Sequence, residues 1–234
     1  MSGAWLAIDT ATDVASVAVG FAAETAAARS IRGARQHAAQ IVPLIREVLT
    51  LANLSVNRIS GIIVGDGPGS FTGLRIGWAA AKGIVHEREL PLVAIPSLLG
   101  AAHAAHGAKP GPVVACFDAL RGQVFGAIYE FGDGRIDTLV PPALFTIAEL
   151  ARVAPARPAV AVGDGAERYR DEVVSWIGCP PVTLETLPPV AASLLSLAPL
   201  AGYPAPAEPV YGRPAEAQAK WETSHGRPLP HSSC

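Results

Sequence analysis

The chain has 234 residues, of which 50% are hydrophobic, and its formal net charge at pH 7 is −2. This length and composition suit one large domain or two small ones with a sizeable core. No uninterrupted apolar run reaches the roughly 18 residues that cross a bilayer, and lysine and arginine are thinly spread. These features argue against a membrane protein and against a chain that binds nucleic acid tightly by itself.

The cysteines and the first apolar run indicate the compartment. Cys116, Cys179 and Cys234 lie far apart and share no metal-ligand spacing, and an odd number suits a reducing compartment better than a disulfide framework. Asp9 interrupts the first apolar run and no basic residue precedes it, which argues against a secretory signal. We therefore expect a cytoplasmic protein.

The first half of the chain predicts adjacent strands followed by alternating helices and strands. Apolar, β-prone runs bounded by Asp, Thr and Gly predict strands, and apolar residues at steps of three and four predict helices. The predicted elements are strands at Trp5 to Asp9, Val14 to Gly20 and Ala22 to Ile31, a helix at Ile41 to Ala52, a strand at Ile59 to Gly65, a helix at Phe71 to Val85, a strand at Leu92 to Ile95, and a helix to His106 with Ser97 as its N-cap.

The composition turns to linker residues at Gly107 to Pro112, and this stretch is the predicted domain boundary. The elements predicted after it are strands at Val113 to Phe117 and Gln123 to Phe131, a helix at Ile147 to Val153, a strand at Ala159 to Val162, and helices at Glu167 to Ile177 and Val190 to Leu200. Strands first and helices after, twice over, predict two α/β lobes. We expect an N-terminal lobe over residues 1–106, a C-terminal lobe over 107–221 and a disordered tail over 222–234.

A glycine-rich loop at Gly65 to Gly77 is the most informative stretch of the chain. Its position between an apolar run and an amphipathic segment predicts a strand, a bent loop and a helix start, where glycine lets a phosphate or another chain come close. No Gly-Lys-Ser/Thr follows the glycines, so it is not a Walker loop, and it does not match the dinucleotide fingerprint. Spacing alone leaves open both an anion site and a ligand-free connection.

The residues from Gly67 to Gly77 closely resemble the signature of the TsaB (YeaZ) family, the partner subunit in making threonylcarbamoyladenosine on tRNA. Similar family landmarks follow in the same order at Leu6 to Thr10 with Ser16 to Val19, His37 with Ile41 to Pro43, Phe117 to Val124, Val162 to Ala166, and Pro209 to Pro214. The resemblance runs from about Trp5 to Lys220. It implies the actin-like ATPase (ASKHA) fold, in which two related α/β lobes, each a mixed sheet with flanking helices, surround a cleft.

The resemblance also implies where a nucleotide would bind. Asp9 and Thr10, at the end of the first strand, resemble the first phosphate loop of actin-like folds, and Gly67, Gly69 and Ser70 complete the predicted nucleotide-binding set. The turn after Asp9 is shorter than the Gly-Thr-rich turn of that fold, so the set predicts a shared or degenerate site. Without the resemblance, Asp9 is interpreted as a turn residue. We expect no cofactor intrinsic to the chain and leave ATP or ADP open as a ligand of a complex.

The catalytic relative TsaD carries two metal-binding histidines one helical turn apart, and the matching positions here are Ser97 and Ala101. Neither residue replaces a histidine ligand. His103 and His106 could share a metal, but no carboxylate or cysteine accompanies them, so solvent-facing histidines are the favoured interpretation. No nucleophile elbow surrounds Ser70. The sequence therefore predicts no metal ligand and no catalytic residue.

The two helices predicted at Ile41 to Ala52 and Phe71 to Val85 carry the expected interface. Taken alone, an amphipathic helix packs on its own sheet. In the TsaB family, by the resemblance, the two helices form a bundle with the matching helices of TsaD or with a second TsaB copy, and Trp78 is the natural anchor. The expected interface residues are Ile41, Leu44, Ile45, Val48, Leu74, Gly77, Trp78, Ala81 and Val85.

From the resemblance we expect a non-catalytic subunit that dimerises with TsaD, or with itself when alone. It would work with the ATPase subunit TsaE and meet tRNA only through the complex. The alternative is an autonomous ATP- and metal-dependent transferase of the actin-like fold, against which the replaced metal ligands argue. A peptidase is a third hypothesis, for which the sequence offers no catalytic constellation.

Overall fold

The computed structural model describes residues 3–21, 24–33, 37–132, 134–199 and 208–213, whose strands form two sheets. The elements of the first half are β1 (Ala4–Asp9), β2 (Val14–Phe21), β3 (Glu24–Arg32), α1 (His37–Leu51), β4 (Ile59–Gly65), α2 (Phe71–Arg88), β5 (Leu92–Ile95) and α3 (Ser97–Ala105). The elements of the second half are β6 (Val113–Asp118), β7 (Val124–Gly132), β8 (Arg135–Phe145), α4 (Ile147–Val153), β9 (Val160–Val162), α5 (Asp164–Arg168), α6 (Arg170–Ile177) and α7 (Val190–Leu197). The described residues also include short 3-10 helices at Val56–Arg58, His106–Ala108 and Leu184–Thr186.

The two sheets repeat one topology. The first has the strand order β3-β2-β1-β4-β5, with β1, β2 and β3 antiparallel and β1, β4 and β5 parallel. The second has the order β8-β7-β6-β9, with β6 taking the place of β1 and β9 the place of β4. This duplication confirms the two-lobed actin-like fold predicted from the sequence.

Successive side chains on the central strands point to opposite faces of each sheet, so the core forms three clusters. The helices and the two sheets are stacked in five layers. On β1, Leu6 and Ile8 face α1 and α2, while Trp5 and Ala7 face the space between the sheets. Helices α3 and α7 fill that space and α4, α5 and α6 cover the far side of the second sheet. Helix α7 lies on the first sheet, where Ser16 Oγ accepts a hydrogen bond from Ala191 N at 3.0 Å.

Strand β8 was not predicted from the sequence. Its consecutive residues Pro141 and Pro142 argue against a strand, since proline cannot donate to a ladder. In the structure β8 is the outermost strand of its sheet, and the register shifts beside Gly126 where the two prolines fall. An edge position with a bulge tolerates residues that a central strand would exclude.

Most predicted elements are confirmed, with a few corrections. The helix expected at Glu167 to Ile177 is two helices, α5 and α6, because the backbone of Tyr169 leaves helical geometry at φ −104° and ψ 39°. Ser97 is the first residue of α3 and not its N-cap, a position that Pro96 holds. The predicted tail at 222–234 lies outside the described residues, and the domain limits at 106 and 107 stay a prediction. Within the described ranges, no helix combines the length and the hydropathy that a bilayer crossing requires.

Candidate functional site

Asp9 ends β1 inside the protein, and both of its carboxylate oxygens are engaged by the chain itself. Oδ2 accepts a hydrogen bond from Ser97 Oγ at 2.6 Å, and Oδ1 accepts one from Ala11 N at 3.3 Å. Burial raises the pKa of Asp9 to about 6, an effect that the hydrogen bonds from Ser97 and Ala11 partly offset. Asp9 therefore fastens the start of α3 to the end of β1.

The glycine loop packs directly on the turn that follows β1. Thr10 Oγ1 donates a hydrogen bond to the carbonyl oxygen of Gly73 at 2.8 Å, and Ser70 N donates one to the carbonyl oxygen of Ala11 at 2.7 Å. A Cβ on Gly69 would overlap the Ala11 carbonyl oxygen, and a Cβ on Gly73 would overlap that of Thr10. Glycine is needed here because two backbone segments touch.

The structure thus brings together the two stretches that carry the predicted nucleotide-binding residues, and hydrogen bonds through Ala11, Gly73 and Ser97 join them. Ser70 Oγ accepts a hydrogen bond from Gly73 N at 3.2 Å as the N-cap of α2. Gly67 N donates to Ser97 Oγ at 3.2 Å, on the side of the loop that faces Asp9. The two loops that would embrace a phosphate are joined by hydrogen bonds, so the residues present do not fit a phosphate between them.

Ser97 and Ala101, the positions matched to metal ligands, are buried. The Ser97 hydroxyl donates a hydrogen bond to Asp9 and accepts one from Gly67 N. No group of three or more His, Cys, Asp or Glu residues in the described ranges could hold a metal ion. His106 is exposed, as expected from the sequence, whereas His103 is only partly exposed. The His103 ring lies 4.8 Å from that of His106 and against Phe131. Burial, followed by the neighbouring His106, lowers the pKa of His103 to about 4.

The predicted interface residues on α1 and α2 form the inner, buried face of these helices, which corrects the prediction. They pack on the first sheet as part of one core cluster or line the glycine loop, and of the whole set only Val85 is partly exposed. Trp78 is 3% exposed, and its Nε1 donates a hydrogen bond to the Gly65 carbonyl oxygen at 3.3 Å. A charged residue at position 78 would therefore disrupt the fold before it separated two subunits.

The opposite side of the same two helices is exposed, and we call it the outer helix face. It consists of Ala38, Ala39, Val42, Pro43 and Arg46 on α1 and Thr72, Arg75, Ala79, Lys82 and Gly83 on α2. Val42 is 50% exposed, and a Cβ on Gly83 would meet no atom within 4 Å. Sequence reasoning missed this face because it followed the apolar stripe. The small residues recurring on the opposite stripe were the available signal.

One end of the outer helix face is an ordered aromatic and cationic cluster. The Arg75 guanidinium carbon lies 4.0 Å from the centre of the Phe71 ring, and Arg75 Nε donates a hydrogen bond to Tyr211 Oη at 3.1 Å. The rings of Phe71 and Tyr211 are 4.6 Å apart.

Tyr211 belongs to the segment 208–213, which has hydrogen bonds to both halves of the chain. Val210 N donates a hydrogen bond to the Asp66 carbonyl oxygen at 2.7 Å, and Arg213 Nη1 donates one to the Ala119 carbonyl oxygen at 2.6 Å. This segment therefore joins the first lobe to the second.

Ion pairs join the end of β3 to α5 and to the 3-10 helix at Leu184–Thr186 in the second half of the chain. Arg32 at the end of β3 contacts Asp13 at 2.9 Å, Glu185 at 2.9 Å and Glu167 at 3.4 Å. Nearby, burial raises the pKa of Asp164 to about 7; the Asp118 N–H hydrogen bond opposes that rise, while the carboxylate of Asp13 adds to it. Several carboxylates thus lie together here, and Arg32 and Arg168 form salt bridges with them.

Comparison with known proteins identifies relatives of the chain. Residues 31–175 match the family model described as TsaD, tRNA N6-adenosine threonylcarbamoyltransferase. The TsaB protein of Escherichia coli is 38% identical over 128 residues, which cover 53% of this chain and 54% of that relative. The TsaB protein of Bacillus subtilis is 33% identical over 108 residues, or 46% of each. The chain thus spans about half the length of the curated TsaB proteins it matches.

Two longer matches extend the comparison. An uncharacterized protein of Mycobacterium tuberculosis is 32% identical over 185 residues, which cover 79% of each chain. The solved structure of YeaZ from Pseudomonas aeruginosa superimposes with a TM-score of 0.72 at 29% identity, covering 90% of this chain and all of that one. The similarity therefore includes both sheets and the helices between them.

Proposed function

Because the chain belongs to the TsaB family, we propose that it takes part in forming threonylcarbamoyladenosine in tRNA, as a cytoplasmic subunit without catalytic groups of its own. In this proposal a TsaD-type partner performs the transfer, TsaE supplies ATPase function, and tRNA is bound by the assembled complex. The names of the relatives support the pathway. The structure of this chain supports the non-catalytic role.

The observation that carries the non-catalytic role is the closed contact between the glycine loop and the end of β1. Thr10 Oγ1 donates a hydrogen bond to the Gly73 carbonyl oxygen at 2.8 Å, and Asp9 Oδ2 accepts one from Ser97 Oγ at 2.6 Å. In an enzyme of this architecture these groups would have to face substrate, yet here their polar atoms are satisfied within the fold. A nucleotide in the complex would therefore need binding groups from the partner, and we propose no cofactor intrinsic to this chain.

We propose that the partner docks on the outer helix face. Small side chains at Ala79 and Gly83 let a helix of another protein approach closely, and the half-exposed Val42 supplies apolar area. A second copy of this chain would use the same face when the TsaD-type partner is missing, which gives a homodimer. Binding through this face leaves both lobes and the cleft free to support the partner's active site.

The test is reconstitution of tRNA modification from purified components. The chain alone, with tRNA, ATP and threonylcarbamoyl-adenylate, should give no modified adenosine, and product should require the TsaD-type partner, TsaE and this chain together. Product from the chain alone would instead establish the autonomous transferase.

A matched pair of variants tests the docking face. Ala79→Glu places a carboxylate on the outer helix face, whereas Ala148→Glu places one at an exposed alanine of α4 in the second lobe. Ala79→Glu should abolish co-elution with the partner on a sizing column and abolish product, while Ala148→Glu should retain both. Equal behaviour of the two variants would argue against docking on this face.

A further inference from the structure

Arg75 is held in place by aromatic side chains, with neither a carboxylate nor a backbone carbonyl of the described residues at its terminal nitrogens. Arg88, Arg157 and Arg213, by contrast, donate terminal N–H groups to backbone carbonyl oxygens. Arg29, Arg32, Arg135 and Arg168 each form a salt bridge with a carboxylate. Arg75 forms none with any described residue, and its single hydrogen bond, to Tyr211, uses Nε. Among the described residues, neither terminal nitrogen has a hydrogen-bond partner, and the side chain is exposed.

Two aromatic side chains fix the position of this guanidinium. Phe71 lies under it at 4.0 Å, Tyr211 lies 5.7 Å from it, and the Tyr211 hydroxyl accepts its Nε hydrogen bond. Stacking on an aromatic face suits the planar, weakly hydrated guanidinium. An arginine fixed in this way loses little conformational entropy when a ligand binds, so more of the interaction appears as affinity.

We propose that Arg75 binds a carboxylate of the protein partner in a two-point interaction, and that Tyr211 positions it for this contact. The inference rests on the docking proposed above and names the chemistry that the partner must offer, an aspartate or glutamate side chain opposite the second turn of α2. A guanidinium with two free terminal nitrogens matches the two oxygens of a carboxylate.

The surroundings of Arg75 favour a protein carboxylate over an RNA phosphate. One helical turn further on, Ala79 and then Gly83 present a small, uncharged surface that suits a closely packed helix. RNA backbones are bound by several cations acting together, whereas the chain has a net charge of −2. An arginine fixed on aromatic rings beside a small-residue helix face is typical of an interface anchor, and the two other cations of the outer helix face, Arg46 and Lys82, would also attract an acidic partner surface.

Tyr211 links this contact to the second lobe. Its segment is tied to the glycine loop through Val210 N and to the loop after β6 through Arg213. Removing only the hydroxyl leaves the ring against Phe71 but frees Arg75 Nε. Tyr211→Phe should therefore weaken partner binding without changing the charge of the surface.

The experiment measures the dissociation constant of the TsaD-type partner for full-length variants by calorimetry at low and high salt. Arg75→Ala should weaken binding about 10- to 100-fold, the range expected for a charge-assisted two-point hydrogen bond. Arg75→Lys should lose about 10-fold, because it retains the charge without the fork. Tyr211→Phe should lose about 3-fold. The control Arg170→Ala, an exposed arginine of α6 on the far layer, should match wild type.

Three results would count against the inference, and they are distinguishable. Unchanged affinity of Arg75→Ala, with wild-type binding intact, overturns the role of Arg75 and leaves the proposed function standing. Unchanged partner affinity combined with weaker tRNA binding by the complex, and a salt slope smaller by about one, would assign Arg75 to a phosphate. Failure of the wild-type chain to bind the partner overturns the proposed function itself. Thermal unfolding of each variant shows that the fold is retained.

Discussion

Asp9, a buried carboxylic acid at the end of β1, is the central residue of the candidate site. Asp9 is 2% exposed and its oxygens meet only a hydroxyl and an N–H group. Asp66, which follows β4, has its pKa raised to about 6 by burial and by the charge of Asp9. Two acids therefore lie at the glycine loop and form no salt bridge with any described residue, an arrangement that favours the protonated form.

The Asp9→Asn variant tests this through pH. The pKa of Asp9 is raised from 3.8 to about 6 in the fold, so the folded state binds more protons and this contribution to stability is lost as pH rises between these values. Asn does not titrate. The free energy of unfolding of Asp9→Asn, minus that of wild type, should rise from pH 4 to pH 6 and stay level above pH 7.

Urea denaturation across that pH range is the measurement. The difference between variant and wild type isolates Asp9 from His103, whose lowered pKa makes stability rise with pH over a similar range. A difference that does not change with pH would show that Asp9 does not titrate in this range. His103→Gln should change the slope in the opposite direction and serves as the comparison.

At the scale of elements, helix α2 shows how one segment meets two demands. On its inner side, Gly73 and Gly77 pack against Thr10, and Trp78 packs against β4. Its outer side carries the proposed docking residues. The inner glycines are needed for close contact with another part of the chain. The outer Gly83 faces open space and has no such reason within the fold.

The contrast predicts opposite effects of the same substitution in one helix. Gly73→Ala places a methyl group onto the Thr10 carbonyl oxygen and should lower the free energy of unfolding by about 1–3 kcal/mol, as overpacking does. Gly83→Ala meets no atom within 4 Å and should raise it by about 0.5–1 kcal/mol through helix propensity. Chemical denaturation of both variants checks the pair. Equal effects would mean that the contact at Gly73 relaxes at little cost.

The elements that sequence predicted well are those with strong local signals. The strand Leu92–Ile95 and the helix Ile147–Val153 have the predicted limits, and the latter starts with a capping box between Thr146 and Glu149. What failed depended on tertiary context. Strand β8 needs a sheet edge to accommodate Pro141 and Pro142, and the amphipathic pattern of α2 could not tell a stripe buried on its own sheet from one that binds a partner.

The sequence predicted which residues form the candidate site, but not whether the two loops there leave room for a ligand. Family resemblance grouped Asp9 with Gly69, and in the structure the Gly69 loop packs on the turn that follows Asp9. Whether the two loops there enclose a space or touch depends on a few backbone positions, which no sequence pattern encodes. Arg75 was missed for a similar reason, since Tyr211 reaches it from a distant part of the chain.

At the scale of the whole molecule, the two repeated sheets are joined by a shared helical layer and by polar contacts between the two halves of the chain. Helices α3 and α7 belong to one core cluster with side chains of both sheets. The segment 208–213 contacts the loops after β4 and β6. A rigid relation between the lobes would let a partner docked on one helix pair sense the opposite lobe.

The Arg32 ion pairs are the part of this link that salt can weaken, which makes them testable. Arg32 and its three carboxylate partners are partly exposed, so each pair contributes little and the group together about 1 kcal/mol after screening. Arg32→Gln should lower the free energy of unfolding by that amount at low salt and by less at high salt. The control is Arg135→Gln, which removes an ion pair within one strand and should leave stability unchanged. If Arg32→Gln behaved like Arg135→Gln, or if its effect did not depend on salt, the two halves of the chain would be held together by packing in the shared helical layer and not by charge.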